Sequence, residues 1–290
     1  MISMSDEVRK FRVVRIDSDI FTIDDGTAEY NLRARKSIRK TTDIRVGDFV
    51  TVSADDNPVI ESVLPRKNFL IRPAVANVDT VIIVVAPHPE PDFITADKLV
   101  VNCRLAGISP VICVNKNDIP FDLDEVTAQY GDFADGVISC SAAGRDVRAL
   151  EKILFGKLSA LAGQSAVGKS SLVNALTGLS RETGDLSAIG RGKNTTTRAE
   201  IVRLRRGTYI IDTPGFSMLD MHGADARGLA NIYGYSRFSD GCRFGGGCTH
   251  TAEPDCAVRA AASRGETSEA RYVRYVRLYR ELSSLKKYGR

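Results

Sequence analysis

Residues 161–173 read LAGQSAVGKSSLV, and this stretch decides the fold. Gly163, four intervening residues, and then Gly168, Lys169 and Ser170 match the phosphate-binding loop pattern G-x-x-x-x-G-K-[ST]. Because glycine lacks a Cβ, the backbone can turn tightly and approach a polyphosphate, and the amides that open the following helix point towards negative charge. The chain before the loop can form a short buried strand, and the chain after it has apolar residues at helical spacing. We therefore predict a strand, a phosphate-binding loop and a helix.

Each residue type in this loop has a use in binding a nucleoside triphosphate. Lys169 would reach the β- and γ-phosphates, and the hydroxyl of Ser170 would bind Mg²⁺. The predicted nucleotide-binding residues of the loop are Gly163, Gln164, Ser165, Ala166, Val167, Gly168, Lys169, Ser170 and Ser171. An ordinary Gly/Ser turn before a helix is the alternative explanation of the same stretch.

The composition of the 290 residues is that of a soluble protein with two or three domains. Hydrophobic residues make up 43% and charged residues 26%, and no apolar run approaches the length that spans a membrane. The N-terminal sequence MISMSDEVRKF carries charges where a signal peptide has its apolar region. We therefore expect a cytoplasmic protein whose six cysteines do not form a disulfide framework.

Residues 1–67 are predicted to form a small β-barrel domain. Short alternating runs, among them FRVVRID, IFTID and GDFVTVSA, are separated by turn sequences such as DDG and DDNP. Such a series of short strands favours an antiparallel barrel of the OB type. The stretch RARKSIRK at residues 33–40 holds five basic residues and no acidic one, so this loop is a candidate to follow a nucleic-acid backbone. A solvated cationic turn is the alternative.

Residues 68–221 are predicted to form an α/β domain. The apolar run VDTVIIVVA at residues 78–86 is typical of a strand buried on both faces of a parallel sheet. A helical stretch, ITADKLVVNCRLAG, follows, and Leu105 is expected on its buried side. Further buried strands are expected at SPVICV and DGVIS, and a strand pair at AEIVRLRRG and TYIID. In such a sheet a ligand binds at the carboxyl ends of the strands.

The motif that follows the strand SPVICV has the pattern N-K-x-D and selects the base. A carboxylate at Asp118 accepts hydrogen bonds from the N1–H and the 2-amino group of guanine, whereas adenine offers neither donor and would leave the charge unpaired. A solvated Asn-Lys-Asn-Asp turn is the alternative, but a phosphate loop in the same chain favours guanine. Ser139, Cys140 and Ser141, after the next strand, are expected to supply a backbone amide to the guanine oxygen. The predicted base-binding residues are Asn115, Lys116, Asn117, Asp118, Ser139 and Cys140.

A second metal-binding motif, D-x-x-G, follows the strand TYII. Asp212 would hold Mg²⁺ through a water molecule, and the amide of Gly215 would meet the γ-phosphate. The threonine run NTTT lies between the phosphate loop and this motif, where a switch threonine normally caps the metal; Thr195 and Thr196 are the candidates. A flexible linker is the alternative for this Thr-rich segment. The predicted Mg²⁺ ligands are Ser170, Thr196 and Asp212.

The order of these motifs along the chain is permuted. In ordinary small GTPases the phosphate loop comes first and N-K-x-D last, whereas here N-K-N-D precedes the phosphate loop by about fifty residues. The same sheet can be assembled from a permuted chain because the termini of a domain usually lie close together. The D-x-x-G segment then leads directly into the C-terminal domain, where the nucleotide state could be read.

Residues 222–290 are predicted to form a small, mainly helical zinc-binding domain. Cys242, Cys248, His250 and Cys256 have the spacing C-x5-C-x-H-x5-C. Three thiolates and one imidazole complete a tetrahedral Zn²⁺ shell with no position open for water, which makes the site structural. Zinc would contribute to folding a domain with little core. Three free cysteines in a Gly-rich loop are the alternative.

The last predicted helix, SEARYVRYVRLYREL at residues 268–282, alternates arginine with tyrosine. Arg271, Arg274, Arg277 and Arg280 recur every three residues. Arginine and tyrosine together suit phosphate contact and base stacking. The alternative is an amphipathic helix whose tyrosines pack inward while its arginines are solvated, and the two interpretations are compatible.

These motifs together resemble the ribosome small-subunit-dependent GTPase family, a group of circularly permuted bacterial GTPases. The resemblance rests on the OB-like barrel, VNKND, GQSAVGKSSL, NTTTR, DTPGF and the zinc spacing, and it covers essentially the whole chain. It implies a circularly permuted P-loop GTPase domain between an OB-like barrel and a zinc-binding domain. It also implies GTP hydrolysis stimulated by the small ribosomal subunit, a role in late maturation of that particle, and rRNA contacts from the barrel and the zinc domain. We expect a monomer with no membrane partner.

Two positions bear on how the chain would position the attacking water. Family members usually carry a histidine just before the switch threonines, where this chain has Asn194, and Phe216 stands where a Ras-like enzyme has its water-orienting glutamine. Asn194 could orient the water by hydrogen bonds but cannot take a proton, so we expect weak intrinsic hydrolysis that depends on the RNA-bound state. The predicted catalytic residues are Lys169, Asn194, Thr195, Asp212 and Gly215. The alternatives are a GTP-dependent RNA- or ribosome-binding module with vestigial hydrolysis, and a permuted GTPase acting on another RNA.

Overall fold

An antiparallel five-stranded barrel lies at the N-terminal end of the computed structural model, which describes residues 9–71, 73–178, 200–205, 207–212 and 224–287. The strand order is β3-β2-β1-β4-β5. Ala34, just after β3, forms a parallel bridge with Ile60 of β5, so the two edges meet and the sheet closes on itself. This confirms the predicted OB-like barrel. Its strands are β1 (Phe11–Asp17), β2 (Ile20–Asp24), β3 (Glu29–Leu32), β4 (Phe49–Val52) and β5 (Ile60–Val63).

The basic stretch at residues 33–40 does not form the predicted loop. Most of it belongs to a short helix, α1 (Lys36–Thr41), and Ala34 is buried in the barrel core. Arg33 and Arg35 each form an ion pair with a neighbouring carboxylate, at 3.3 and 2.6 Å. The loop prediction is therefore wrong for residues 36–40, which are helical.

A second, larger sheet has six strands in the order β10-β9-β8-β11-β13-β12. β10 pairs with β9 and β13 with β11 in parallel, whereas β12 pairs with β13 antiparallel. β8 is buried at every position, as a strand covered on both faces requires. This confirms the predicted α/β class. The short strands β6 (Phe69–Leu70) and β7 (Val75–Ala76) pair with each other in a separate two-stranded sheet. The six strands of the larger sheet are β8 (Thr80–Val85), β9 (Ser109–Val114), β10 (Val137–Ser139), β11 (Leu158–Ala162), β12 (Glu200–Arg205) and β13 (Thr208–Asp212).

The strands of this sheet alternate with helices α2 (Phe93–Leu105), α3 (Leu123–Tyr130), α4 (Arg148–Leu154) and α5 (Lys169–Thr177). The carboxylate of Asp92 caps α2 by accepting from the amide of Thr95 at 3.1 Å. Leu99 and Cys103 face the core, but Leu105 is 44% exposed, so the prediction that Leu105 packs inward is wrong. With 3.6 residues per turn, Leu105 lies about 200° around the helix from Cys103.

The chain divides into two compact units, of which the first contains residues 1–80, 151–161 and 176–217. Within it the barrel packs on the strand pair β12–β13. The guanidinium of Arg12 lies 4.3 Å from the ring centroid of Phe49 and 5.2 Å from that of Tyr209. Arg203 of β12 forms an ion pair with the buried Asp24 of β2 at 3.1 Å. Charge and ring contacts therefore fix the barrel to this edge pair.

The second unit contains residues 81–150, 162–175 and 218–290. Its C-terminal part is helical, and an aromatic cluster forms its centre: the ring of Phe133 stacks on that of Tyr233 with 4.4 Å between the ring centroids, and the rings of Tyr233 and Tyr275 are 5.3 Å apart.

None of the helices in the described part of the chain combines the length and the apolar composition needed to span a membrane. The predicted domain boundaries, 1–67, 68–221 and 222–290, stay a prediction. The elements are α6 (Ala226–Ile232), 3₁₀ helices at Tyr235–Gly241 and Gly245–Gly247, α7 (Ala257–Ser263) and α8 (Glu269–Lys287).

A buried carboxylate joins α2 to α8 inside this unit. Asp97 accepts hydrogen bonds from the hydroxyls of Tyr130 at 2.6 Å and Tyr233 at 2.9 Å and from Nε of Arg274 at 2.8 Å. Burial raises the pKa of Asp97, and the charge of Arg274 opposes that rise. The guanidinium of Arg274 therefore neutralises a carboxylate that is itself fully buried.

Arg271, one turn earlier on α8, is also buried. Its guanidinium donates to the carbonyl of Gln129 at 2.9 Å and contacts the carboxylate of Asp132. Neither sequence interpretation holds for Arg271 and Arg274, because these side chains are neither solvated nor free to meet a phosphate. They neutralise carboxylates of the α/β domain and so hold α8 in place.

Arg274→Met is expected to lower the free energy of unfolding by about 3 kcal/mol, because it leaves Asp97 buried without its cation. Urea denaturation of the purified protein measures the loss. The matched control is Arg280→Met, an exposed arginine of the same helix, which should change stability by less than about 0.5 kcal/mol. Equal losses in the two variants would contradict the assignment.

Candidate nucleotide site and metal centre

The phosphate loop joins β11 to α5, as predicted, and two of its glycines have no room for a side chain. Gly163 has φ +127°, and a Cβ there would lie 2.3 Å from the carbonyl oxygen of Val84. Gly168 has φ +94°, and its Cβ would lie 2.4 Å from Nδ2 of Asn115. Only glycine is compatible with both positions, which lets the loop lie close to its neighbours and still turn towards a ligand.

Lys169, the first residue of α5, reaches back over the loop. Its ammonium donates to the carbonyls of Gly163 at 2.8 Å and Gln164 at 2.6 Å. Burial lowers the pKa of Lys169. Ser165 and Ser170 are exposed, while Val167 is buried beneath them. The loop thus places an ammonium and a hydroxyl beside the amides that open α5, a set of groups that suits a polyphosphate with its metal.

The loop at residues 115–118, here called the base-reading loop, is hydrogen-bonded directly to the phosphate loop. The buried amide of Asn115 donates from Nδ2 to the carbonyl of Val167 at 2.8 Å. Lys116, which adopts a left-handed backbone with φ 65°, donates to the carbonyls of Ala166 at 3.1 Å and His88 at 2.6 Å. The two motifs, about fifty residues apart in the sequence, are therefore hydrogen-bonded to each other, and the role of Lys116 as a cover over the base stays a prediction.

Asp118 presents its carboxylate to solvent at the rim of this structure. Ser141 donates a hydrogen bond from its hydroxyl to Oδ1 of Asp118 at 2.5 Å, and this bond lowers the pKa of Asp118. The carboxylate is therefore ionised at neutral pH and can accept from two adjacent N–H groups. The amide of Asn117 donates to the carbonyl of Cys140 at 3.0 Å, which holds the loop in register.

The backbone amides after β10, which were expected to meet the guanine oxygen, donate to carbonyl groups of the protein instead. The amide of Cys140 donates to the carbonyl of Val114 at 2.9 Å, and that of Ser141 to the carbonyl of Asp146 at 3.0 Å. Ser139 is the last residue of β10 and pairs with Val114. An amide that donates to a carbonyl would have to break that bond to meet a base, so the roles of Ser139 and Cys140 stay a prediction. The hydroxyl of Ser141 is the contact that sequence reasoning missed.

The remaining predicted catalytic positions are only partly covered by the structure. Asn194, Thr195, Thr196 and Gly215 lie outside the described residues. The backbone of Asp212 ends β13, and its side chain is not described. Their assignments to the switch, the metal and the catalytic site therefore stay predictions.

The four predicted zinc ligands form one cluster. The ligand atoms of Cys242, Cys248, His250 and Cys256 all lie within 4.8 Å of one another. Nδ1 of His250 is 3.6 Å from the sulfurs of Cys242 and Cys256, a separation that two ligands of one tetrahedral metal ion would have. Burial lowers the pKa of His250, which favours the neutral imidazole that binds metal. The donor set fits a thiophilic ion such as Zn²⁺.

The zinc cluster is supported from α8. Tyr272 donates a hydrogen bond to the carbonyl of His250 at 3.0 Å, and Tyr275 donates to that of Thr249 at 2.7 Å. The amide of Ala257 donates to the sulfur of Cys242 at 3.3 Å, as expected for a residue that stabilises thiolate charge. These contacts explain why the tyrosines of α8 face inward.

An arginine-lined groove lies between α8 and the residues Thr251 and Arg259. Its volume is about 560 Å³, and Val273 and Val276 form part of its wall. Unlike Arg271 and Arg274, the arginines of this groove are exposed. The lining residues are Thr251, Arg259, Tyr272, Val273, Val276, Arg277 and Arg280.

The amino-acid sequence matches known proteins over nearly its whole length. The family model described as RsgA GTPase matches residues 63–222. The chain is 37% identical to the small ribosomal subunit biogenesis GTPase RsgA of Agathobacter rectalis, with 91% of each chain covered. It is 36% identical to the protein of the same name from Thermotoga petrophila, with 96% of this chain and 98% of that protein covered.

Solved structures show the same architecture. The crystal structure of YjeQ from Thermotoga maritima has a TM-score of 0.78 at 34% identity and covers 97% of this chain and 99% of its own. The structure of YloQ, described as a circularly permuted GTPase, has a TM-score of 0.76 at 27% identity with 96% of each chain covered. The permuted motif order, the joined phosphate and base-reading loops and these similarities lead to one conclusion: the chain is a GTPase and belongs to the RsgA GTPase family.

Proposed function

We propose that this GTPase binds the small ribosomal subunit, acts late in its assembly, and hydrolyses GTP faster when bound to it. The observation that carries the proposal is the match of more than nine tenths of the chain, barrel and zinc cluster included, to relatives named as small ribosomal subunit biogenesis GTPases. The alternatives are a GTP-dependent binding module with vestigial hydrolysis and a permuted GTPase that acts on another RNA.

GTP is proposed to bind across the joined loops. Asp118, which accepts a hydrogen bond from the hydroxyl of Ser141, would also accept from the N1–H and 2-amino group of guanine. The phosphates would lie on the amides of residues 163–171, and Lys169 would contact the β- and γ-phosphates. Mg²⁺ would be held by Ser170, Thr196 and Asp212 and would supply neutralisation of phosphate charge.

Hydrolysis is proposed to be slow without the subunit because the residue before the switch threonines is Asn194. An amide side chain can orient a water molecule by hydrogen bonds but has no basic site near neutral pH. Binding to RNA would have to position the water or order the switch segment. We therefore expect the small subunit to raise the rate of GTP hydrolysis by this chain.

Ribosomal RNA is the proposed contact of the subunit, and the groove beside α8 supports this choice. Arg259, Arg277 and Arg280 present three guanidinium groups around an apolar wall, and no residue that lines the groove is acidic. Guanidinium groups pair with phosphates in bidentate geometry, and binding of this type weakens as salt rises. We further propose that the protein acts as a cytoplasmic monomer.

The Cys₃His cluster is proposed to hold one structural Zn²⁺ ion. Four protein ligands close the coordination shell, so the ion would contribute folding energy and no chemistry. It would fix the chain at residues 242–256, where the secondary structure is one short 3₁₀ helix, Gly245–Gly247.

Subunit-stimulated turnover tests the proposed function. Phosphate release measured with and without purified small subunits should differ by at least about tenfold, because positioning of the water accounts for a factor of that order or more. Equal rates would contradict stimulation. Co-sedimentation with separated subunits and a non-hydrolysable GTP analogue should show binding to the small subunit, and preference for the large one would reject the proposal.

Asp118→Asn should change base preference from guanine to xanthine, because an amide presents a donor where the 2-oxo group of xanthine accepts. The dissociation constant for GDP should rise by about a hundredfold or more while that for xanthosine diphosphate falls. Asp124→Asn removes an exposed carboxylate at the start of α3 and is the matched control, with no expected change. Unchanged guanine selectivity in Asp118→Asn would remove the assignment.

Cys248→Ser should lower the zinc content well below one ion per chain and loosen the C-terminal part, because a hydroxyl is a poor Zn²⁺ ligand. Elemental analysis and thermal unfolding measure both effects. Cys103→Ser alters a buried cysteine of α2 outside the cluster and should keep full zinc. Full zinc in Cys248→Ser would show that the ligand set is wrong.

A further inference from the structure

The side chain of Gln164 ties the phosphate loop to the start of α2. Its Nε2 donates to the carbonyl of Glu90 at 3.0 Å, and its Oε1 accepts from the amide of Asp92 at 3.1 Å. Asp92 is the residue that caps α2. Both ends of one amide are therefore used to fix the second residue of the phosphate loop to the entry of a neighbouring helix.

The backbone of Gln164 is at the same time a partner of Lys169. The ammonium of Lys169 has three protons, and the structure uses two of them on the carbonyls of Gly163 and Gln164. An ammonium group that donates to both the β- and the γ-phosphate uses two of its three protons in those hydrogen bonds. At least one of the two carbonyl bonds must then be released, and one of the two is the bond to Gln164, the residue whose side chain contacts α2.

α2 continues this connection to the C-terminal helix. Asp97 lies five residues after Asp92 and receives the hydrogen bonds of Arg274 and Tyr233. A carboxylate this deeply buried cannot exchange those donors for water without a large cost, so α2 and α8 move together. On the far side of α8, the hydroxyl of Tyr275 donates to the carbonyl of Thr249, next to the zinc ligand His250.

We propose that Gln164 is a positioning residue that fixes the phosphate loop to α2, and that α2 and α8 carry the nucleotide-bound state of this loop to the zinc-binding loop at residues 249–256. The inference rests on the proposed nucleotide site. It adds a route to the C-terminal domain that is made of direct hydrogen bonds between described residues and is independent of the D-x-x-G segment.

The route has a thermodynamic consequence. If nucleotide binding changes the order of the zinc-binding loop, then fixing that loop must change nucleotide affinity by the same factor. A partner that binds residues 249–256 would thereby alter the affinity of the distant phosphate loop for GTP or GDP. This would couple binding of the particle to nucleotide exchange without contact between the particle and the nucleotide.

Hydrogen–deuterium exchange on the full-length protein tests the proposal in the absence of nucleotide, with GDP, and with a non-hydrolysable GTP analogue. In the wild type, nucleotide should alter exchange at residues 163–171 and also at residues 249–256. Gln164→Met keeps the length of the side chain and removes both hydrogen bonds. It should weaken nucleotide binding by about fivefold, keep the response of the phosphate loop, and lose that of residues 249–256.

Glu90→Ala is the matched control, because it keeps the main-chain carbonyl that Gln164 contacts, and it should behave as the wild type does. Tyr275→Phe removes the last hydroxyl of the route and serves if Gln164→Met does not fold. It should keep nucleotide affinity within about twofold and reduce the response of residues 249–256.

The outcomes separate this inference from the proposed function. A wild type that does not bind guanine nucleotides would overturn the nucleotide site itself. A wild type that binds them with no response at residues 249–256 would overturn the coupling alone. A full response in Gln164→Met would overturn the role of Gln164.

Discussion

The buried amide of Asn115 is the interaction on which the nucleotide site depends. It donates to the carbonyl of Val167, accepts from the amide of Ala142 at 3.2 Å, and occupies the space that a side chain at Gly168 would need. Three loops from separate parts of the chain thus share one side chain. Because this junction is made by side-chain hydrogen bonds, it does not matter in which order the chain visits the loops, and a permuted sequence can build an ordinary GTP site.

Two ion pairs, of which one has a buried carboxylate and the other a buried guanidinium, organise the C-terminal part in a similar way. Asp97 and Asp132 belong to the α/β domain, and the arginines that neutralise them, Arg274 and Arg271, belong to α8. Such pairs add little net stability compared with apolar packing, but they permit one orientation of the helix. That orientation turns the tyrosines towards the zinc cluster and leaves Arg277 and Arg280 on the outside. The internal ion pairs therefore decide which surface is left for a partner.

Local chemical requirements made much of this molecule predictable from its sequence. The buried strands, the phosphate loop and the Cys₃His cluster each impose residue types at fixed short spacings, and all were predicted. The roles of Arg271 and Arg274 were not, because their partners lie 139 and 177 residues away in the sequence. The hydroxyl contact from Ser141 to Asp118 was missed for the same reason, since a serine after a strand has no pattern that reveals its partner.

The pairing of Asp97 with Arg274 also sets an order of events during synthesis. The ribosome adds about 5–20 residues per second, and 177 residues separate the carboxylate from its guanidinium. For roughly 9–35 s the nascent chain therefore contains Asp97 without Arg274, the residue that neutralises it in the folded protein. The central sheet can begin to form in that interval, with Tyr130 as the partner of Asp97 on the part of the chain already made. The ion pair between Asp97 and Arg274 can therefore form only at the end of translation.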